Sequence, residues 1–312
     1  MISTTPIVTP HKNFLATVRS YILLTKPRII ELLLITTVPP MIVAERLLGE
    51  GGLPSIGLIL VTLIGGTLAA GSANTFNCVI DRDIDAKMQR TCDRPLPAQE
   101  ISVTGAVCFG ILLQIFSFVL LGLTVNLLSA GLAAAATFYY IFIYTIALKR
   151  STVQNIVIGG AAGAMPVLVG WAAVTGSVTS LEDIPAWAMF ALVFYWTPPH
   201  FWALAIKYRE DYERAGVPML PVVQGLQETA RQILRYALIM GAISLLLGAV
   251  GRMGLLYFIP AIVCGVVFVK LAFELYKNVD TKKAMQIFFF SIAYLGILFI
   301  AMALDAFVAG AV

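Results

Sequence analysis

The chain has 312 residues, of which 59% are hydrophobic and 12% charged, with a mean hydropathy of +0.90. Soluble domains carry about 25% charged residues, so this composition excludes a soluble globule and makes lipid the solvent for most of the surface. The formal charge of +4 follows from loop asymmetry and anionic headgroups and requires no nucleic-acid partner.

In chain order, Met1 to Arg19 has no apolar core and no small-residue cleavage pattern, and it is poor in Arg. It is expected to be neither a secretory signal nor a transit peptide. Residues 1–20 are expected to form a polar cytoplasmic tail and 21–312 a single transmembrane domain. Nine apolar runs long enough to span a bilayer follow at 22–44, 56–79, 103–122, 126–147, 153–175, 185–206, 231–250, 254–275 and 285–307. They predict an all-α, polytopic membrane helix bundle. With the N-terminus inside, nearly all cations fall in cytoplasmic segments, including Lys26 and Arg28, Arg82 to Arg94, Lys149 and Arg150, Lys207 to Arg235, and Lys277 to Lys283. Only Arg46 and Arg252 fall outside. This positive-inside bias puts the C-terminus outside. The missing transit signal points to a bacterial or archaeal plasma membrane. Cys78, Cys92, Cys108 and Cys264 form no CxxC pair and fit no zinc spacing, so neither a disulfide framework nor a zinc site is expected.

The long cytoplasmic loops at 81–102 and 207–230 carry most of the charge, where a working site is expected. In the first, Asn77, Asp81 and Asp85 are spaced by four. A helix places them within about 80° of one another and about 6 Å apart per step along the axis. Their oxygens are the hard ligands that Mg²⁺ takes together with phosphate oxygens and water. Asp83 falls roughly opposite Asp81. Lys87, Arg90 and Arg94 follow as phosphate donors. Solvated charges ending a helix are the plain alternative, but ionisable groups at membrane depth default to function.

The second loop opens with Lys207 and Asp211 on one helical face, flanked by Glu210 and Arg214. They are candidates for a metal or diphosphate contact, although mixed charges also suit a solvated helix end. Tyr144, Lys149, Arg150 and Asn155 cluster at a short cytoplasmic joint, either as a phosphate-donating wall or as a positive-inside anchor. Lys26 and Arg28 could serve likewise at the first span. His200 follows Pro198-Pro199, expected to bend its helix, and sits among Phe194, Tyr195, Trp196, Phe201 and Trp202. It is either a packed core group or a residue that faces a porphyrin or ligates its iron.

The Asn77-x-x-x-Asp81-x-x-x-Asp85 end of the second span, running into Arg94-Pro-Leu-Pro97, with Leu24 to Arg28, Tyr144 to Asn155, and Pro199-His200-Phe201-Trp202 through Pro221, resembles the UbiA-type intramembrane prenyltransferase superfamily, and within it the haem-modifying branch. The resemblance covers residues 20–305. Lys207 stands where the superfamily often has the first Asp of a second Asp-x-x-x-Asp, a departure shared by the haem branch.

The resemblance implies a helical bundle around a central cavity and a Mg²⁺ cofactor held by Asn77, Asp81, Asp85 and Asp211. Farnesyl diphosphate is the implied donor and a vinyl group of haem b the acceptor, with water quenching the product cation. Lys87 and Arg94 would act at the departing diphosphate, with Arg28, Arg90, Tyr144, Lys149, Arg150, Asn155, His200 and Lys207 holding substrate. Membrane lipid and a haem-modifying oxidase are the implied partners. Competing readings are a prenyltransferase for an aromatic or quinone precursor, a cation-coupled transporter, and a haem chaperone using His200 without the acids.

Overall fold

A computed structural model describes residues 14–27, 35–49 and 52–310. Ten principal helices are α1 (Phe14–Leu24), α2 (Val38–Leu48), α3 (Ile56–Ile80), α4 (Val103–Thr124), α5 (Leu127–Leu148), α6 (Asn155–Thr175), α7 (Ile184–Lys207), α8 (Gly225–Val250), α9 (Leu255–Lys277) and α10 (Thr281–Gly310). No strand occurs among the described residues. The eight helices α3 to α10 are each long and apolar enough to cross a bilayer. Of the expected first span at 22–44, residues 28–34 lie outside the described residues, and Arg28 with them. The chain is helical on either side, as α1 and α2. The expected tail at 1–20 is helical from Phe14 onward.

Local chemistry sets the helix ends. Ser55 Oγ accepts from Leu58 N at 3.2 Å, Ser102 Oγ from Gly105 N at 3.1 Å, and Asn126 Oδ1 from Ser129 N at 2.7 Å, each satisfying an amide that the helix start leaves free. Asn126 also donates to the Ala172 carbonyl at 2.8 Å. It thereby divides α4 from α5 at the short joint between Thr124 and Leu127. α8 begins six residues before the expected 231 because Glu228 and Arg231 pair one turn apart at 2.6 Å, which carries the helix beyond its apolar part.

Successive helices pack as neighbours from α3 to α10, with α7 central against α6, α8 and α10, and α2 bridging α6 and α10. Small residues allow close approach, as usual between membrane helices. Ser72 and Ser117 donate to the Gly110 and Gly65 carbonyls, each at 2.8 Å, locking α3 to α4. Trp171, Tyr257, Phe268, Tyr294 and Phe299 are fully buried. Tyr257 and Tyr294 place their hydroxyls on the Ser244 carbonyl and hydroxyl, as buried polar groups require. The outer surface is apolar: α4 exposes Ile111, Ile115, Phe116 and Val119, the face a lipid-solvated helix presents.

Arg46 and Arg252, the two cations outside the inside set, meet at one end of the bundle. There Arg46 donates to the Arg252 carbonyl and lies 3.7 Å from the buried Asp305 carboxylate. Asp305 also accepts twice from the Gly254 amide, closing α2, α9 and α10 together. At the other end α3 and α7 each run into a short charged helix, Arg82–Asp85 and Arg209–Arg214.

Candidate active site

A cavity of about 660 Å³ opens between α3, α5 and α6 on one side and α7 and α10 on the other. Its polar mouth is built where α3 ends. The helix stops at Asp81 (φ −86°, ψ 2°), and the chain resumes one helical turn at Arg82, with Asp85 N bonded to Asp81 O at 2.8 Å. The four-residue phase therefore survives the break. Asp81 and Asp85 are buried, while the Asp83 side chain is half exposed on the far side.

Each of the three aligned oxygen-bearing groups meets a cation. Lys26 Nζ donates to Asn77 Oδ1 at 2.6 Å, Lys149 Nζ donates to Asp81 Oδ2, and Arg94 Nη1 donates to Asp85 Oδ2 at 2.7 Å. Asn77 Nδ2 reaches Asp81 Oδ2 at 2.6 Å and Thr145 Oγ1 at 3.1 Å. The cations arrive from three separate segments. Lys26 follows α1 in a left-handed conformation (φ 53°), uncommon for a residue with a side chain. Arg94 returns on the loop after α3, held as Thr91 Oγ1 donates to the Asp85 carbonyl at 3.0 Å. Lys149 ends a π-helical stretch over Tyr139–Leu148.

That stretch explains the Tyr144-x4-Lys149 spacing. In a π-helix the amide of residue i+5 meets the carbonyl of residue i, and Lys149 N bonds Tyr144 O at 2.8 Å. Thr145 Oγ1 likewise donates back to Tyr140 O at 2.8 Å. The wide winding puts Tyr140, Tyr144 and Lys149 together on the cavity wall and aims the fully buried Thr145 hydroxyl at Asn77.

Arg150 forks onto Asp83 with contacts of 2.7 and 2.6 Å and lies 3.7 Å from Asp81. Those bonds pull the Asp83 carboxyl down to about 2. Arg150 therefore fastens the joint after α5 to the Asp81 turn rather than lining the cavity. Arg90 lines the cavity, with its guanidinium 5.4 Å from the Tyr208 ring centre. Lys87 and Lys207 are exposed and do not line it, and Lys207 lies over the Tyr208 ring at 5.2 Å. Asp211 is buried but pairs with Arg214 on its own short helix; Tyr212 and Met219, its neighbours in the chain, line the cavity in its stead. Asn155 is fully buried at the start of α6 and donates to the Thr152 carbonyl at 2.7 Å.

On the opposite wall the His200 ring stacks between Trp196 and Phe288, with centres 4.3 and 4.5 Å away. Its Nδ1 lies 2.8 Å from Ser291 Oγ. The same hydroxyl reaches the Phe288 carbonyl at 2.7 Å, which ties the ring to α10. The His200 ring lines the cavity.

Thr145, Tyr140, Phe288 and Ser291 carry no sequence signal of their own. The five-residue step from Tyr144 to Lys149 is the one clue to the π-helix, and nothing in the chain pattern links Ser291 to His200.

A membrane bundle that gathers acids and cations at the mouth of a deep apolar cavity has the form of an intramembrane transferase for charged-headed, apolar-tailed substrates. The model of the UbiA prenyltransferase family matches residues 37–301. The chain is 51% identical over 301 residues to protoheme IX farnesyltransferase 1 of Saccharopolyspora erythraea, covering 96% of this chain and 92% of that one. It is 50% identical over 296 residues to the protoheme IX farnesyltransferase of Frankia alni, covering 94% and 99%. In fold it superposes on a digeranylgeranylglyceryl phosphate synthase with TM-score 0.75 at 18% identity, covering 93% of this chain and 99% of that one. It also superposes on an Archaeoglobus fulgidus UbiA homologue bound to DMAPP and Mg²⁺, with TM-score 0.65 at 15% identity and coverage of 93% and 99%. The chain belongs to the UbiA prenyltransferase family and is a multi-pass integral membrane prenyltransferase.

Proposed function

We propose that this prenyltransferase moves a farnesyl group from farnesyl diphosphate to a vinyl group of haem b, with addition of water, giving haem O and diphosphate. The observation that carries this reading is a single cavity with two unlike walls. One bears Asn77, Asp85, Arg90, Arg94 and Lys149, and the other bears His200 stacked between aromatic rings. The first suits a diphosphate and the second a planar iron macrocycle. The haem-farnesylating relatives, about half identical over nearly the whole chain, support the same pairing.

The oxygen donors fit Mg²⁺. Asp81 Oδ1 is buried without a hydrogen bond, with the Arg150 guanidinium 3.7 Å away, a poorly satisfied state for a carboxylate oxygen. Among the described residues no three of His, Cys, Asp and Glu converge. Two acids and an amide therefore suit an ion that takes the remainder of its shell from phosphate and water. Asn77, Asp81 and Asp85 would hold it, and bound there it would supply Lewis-acid stabilisation of the departing diphosphate. Asp211, committed to Arg214, is left outside this set.

The chain's own groups do the rest. Lys26, Arg94 and Lys149 each sit on one of the three donors, and in moving to diphosphate oxygens they would offset the charge that grows as the allylic C–O bond breaks. The apolar walls hold the prenyl tail and keep water from the allylic cation until the vinyl carbon attacks. His200 Nε2 would hold the haem iron and so fix which edge of the macrocycle faces the donor. The acid-bearing mouth is taken as cytoplasmic, with the N-terminus inside and the C-terminus outside, because nearly all loop cations lie toward that end and just Arg46 and Arg252 fall at the other.

Purified protein supplied with haem b, farnesyl diphosphate and Mg²⁺ should convert haem to a heavier, more apolar hydroxyethylfarnesyl product, and EDTA should stop it. No haem product, with transfer instead to an aromatic acid or quinone precursor, would move the chain to another branch of the family.

A further inference from the structure

Two adjacent glycines in α3 do different jobs. A Cβ at Gly65 would overlap the Leu121 side chain, so Gly65 lets α4 approach. A Cβ at Gly66 would meet nothing within 4 Å, although glycine weakens a helix interior relative to alanine. Packing therefore does not require Gly66. What it borders is the cavity, and it shares one face of α3 with Thr62, Ala69, Ala73 and Asn77, all on the lining. That face runs straight down from the acid and cation mouth. Gly66 lies eleven residues below Asn77, about 16 Å at the helical rise, roughly the reach of an extended fifteen-carbon isoprenoid whose diphosphate sits at the mouth. Bulky lining groups such as Tyr140, Tyr144, Trp196, His200, Phe288 and Leu295 come from α5, α7 and α10 instead. The slot along α3 is thus a track of small side chains with an unfilled position at the depth of the third isoprene unit.

We infer that Gly66 sets the prenyl chain length this enzyme accepts, by leaving room beside α3 for the terminal isoprene unit of the donor. The inference rests on the proposed farnesyl donor and is independent of the haem acceptor. Leucine at this position fills the space where that unit lies and leaves the first two units and the diphosphate contacts untouched.

The test measures binding of geranyl and farnesyl thiolodiphosphates with Mg²⁺ to the full-length protein by calorimetry, without acceptor, for wild type, Gly66→Ala and Gly66→Leu. Gly66→Leu should lose farnesyl affinity by about tenfold or more, as a misfitted hydrophobic pocket does, while geranyl affinity holds. Gly66→Ala, which meets no neighbour and favours the helix, should shift the ratio the same way by less. An unchanged ratio in both variants, or equal loss of both donors in Gly66→Ala, overturns the inference even where wild type farnesylates haem. The expected shift together with no haem product from wild type leaves the slot standing and fells the acceptor assignment instead.

Discussion

Lys149 neutralises Asp81 in a place where a metal ion is proposed to bind, so its removal has opposite effects on stability and metal affinity. Asp81 is fully buried and the Lys149 side chain is 16% exposed. Removing one partner of a buried ion pair costs about 3–5 kcal/mol. The lower end applies to Lys149→Met, because Asn77 still donates to Asp81 at 2.6 Å and Arg150 remains at 3.7 Å. A stranded carboxylate regains that energy from a divalent cation. If most of about 3 kcal/mol is recovered, Mg²⁺ without diphosphate should bind up to about a hundredfold more tightly than to wild type, at a factor of ten per 1.4 kcal/mol. Calorimetry with Mg²⁺ alone and thermal melts with and without Mg²⁺ read both effects. The variant should melt lower, recover with Mg²⁺ and still lose transfer, since a donor to the diphosphate is gone. Mg²⁺ affinity at or below that of wild type, with a melt insensitive to Mg²⁺, would refute the placement of metal and lysine on one carboxylate.

Asp81→Ala and Asp85→Ala should each cost more than nine-tenths of turnover, above about 1.4 kcal/mol of barrier, while the protein still inserts; a steady-state assay on detergent-purified variants checks this. His200→Ala should weaken haem binding, read by optical titration, and leave donor binding unchanged, whereas Ser291→Ala, which frees Nδ1, should produce a smaller shift in the same spectrum. Asp83 is held at about 2 against an ordinary 3.8 by its Arg150 bonds, so the tie contributes fully above about pH 4 and is lost as pH falls toward 2. Hydrogen exchange at 82–85 should therefore rise across that window, and Asp83→Asn should abolish the pH dependence. A Cβ on Gly170 would strike the Thr37 backbone carbonyl, so Gly170→Ala should force α2 from α6 and lower stability by about 1–3 kcal/mol, measured by thermal melting.

The helices were legible because lipid leaves the backbone few options. Apolar runs that must satisfy every amide internally become helices, and the eight observed from α3 to α10 follow the expected spans within a few residues at most ends. The exceptions have local causes. α8 starts early on a Glu228–Arg231 pair, and α5 changes to π-winding at Tyr139, a change that apolar periodicity does not encode. The phase of Asn77, Asp81 and Asp85 was also readable, since it needs one helix and its rise. Arg90 and Arg94 were found by charge and proximity to that motif, and Lys149 by its charge at a short cytoplasmic joint. Lys87 and Lys207 shared the charge but not the geometry, because nothing in the chain fixes where a cation points once its helix has ended.

Composition and local spacing were enough to set the solvent and the helices and to mark the segment proposed to grip metal and phosphate. Tertiary structure alone decided which cation meets which oxygen. Lys26, Arg94 and Lys149 come from three segments, and only the packing of α1, α3 and α5 brings them to a single mouth. It also decided that Ser291, far along the chain, meets the His200 ring, and that of two neighbouring glycines one packs a helix and the other borders the cavity. These contacts depend on how helices face one another across a low-dielectric interior, where an unpaired polar group is too costly to leave, and no local pattern records that facing.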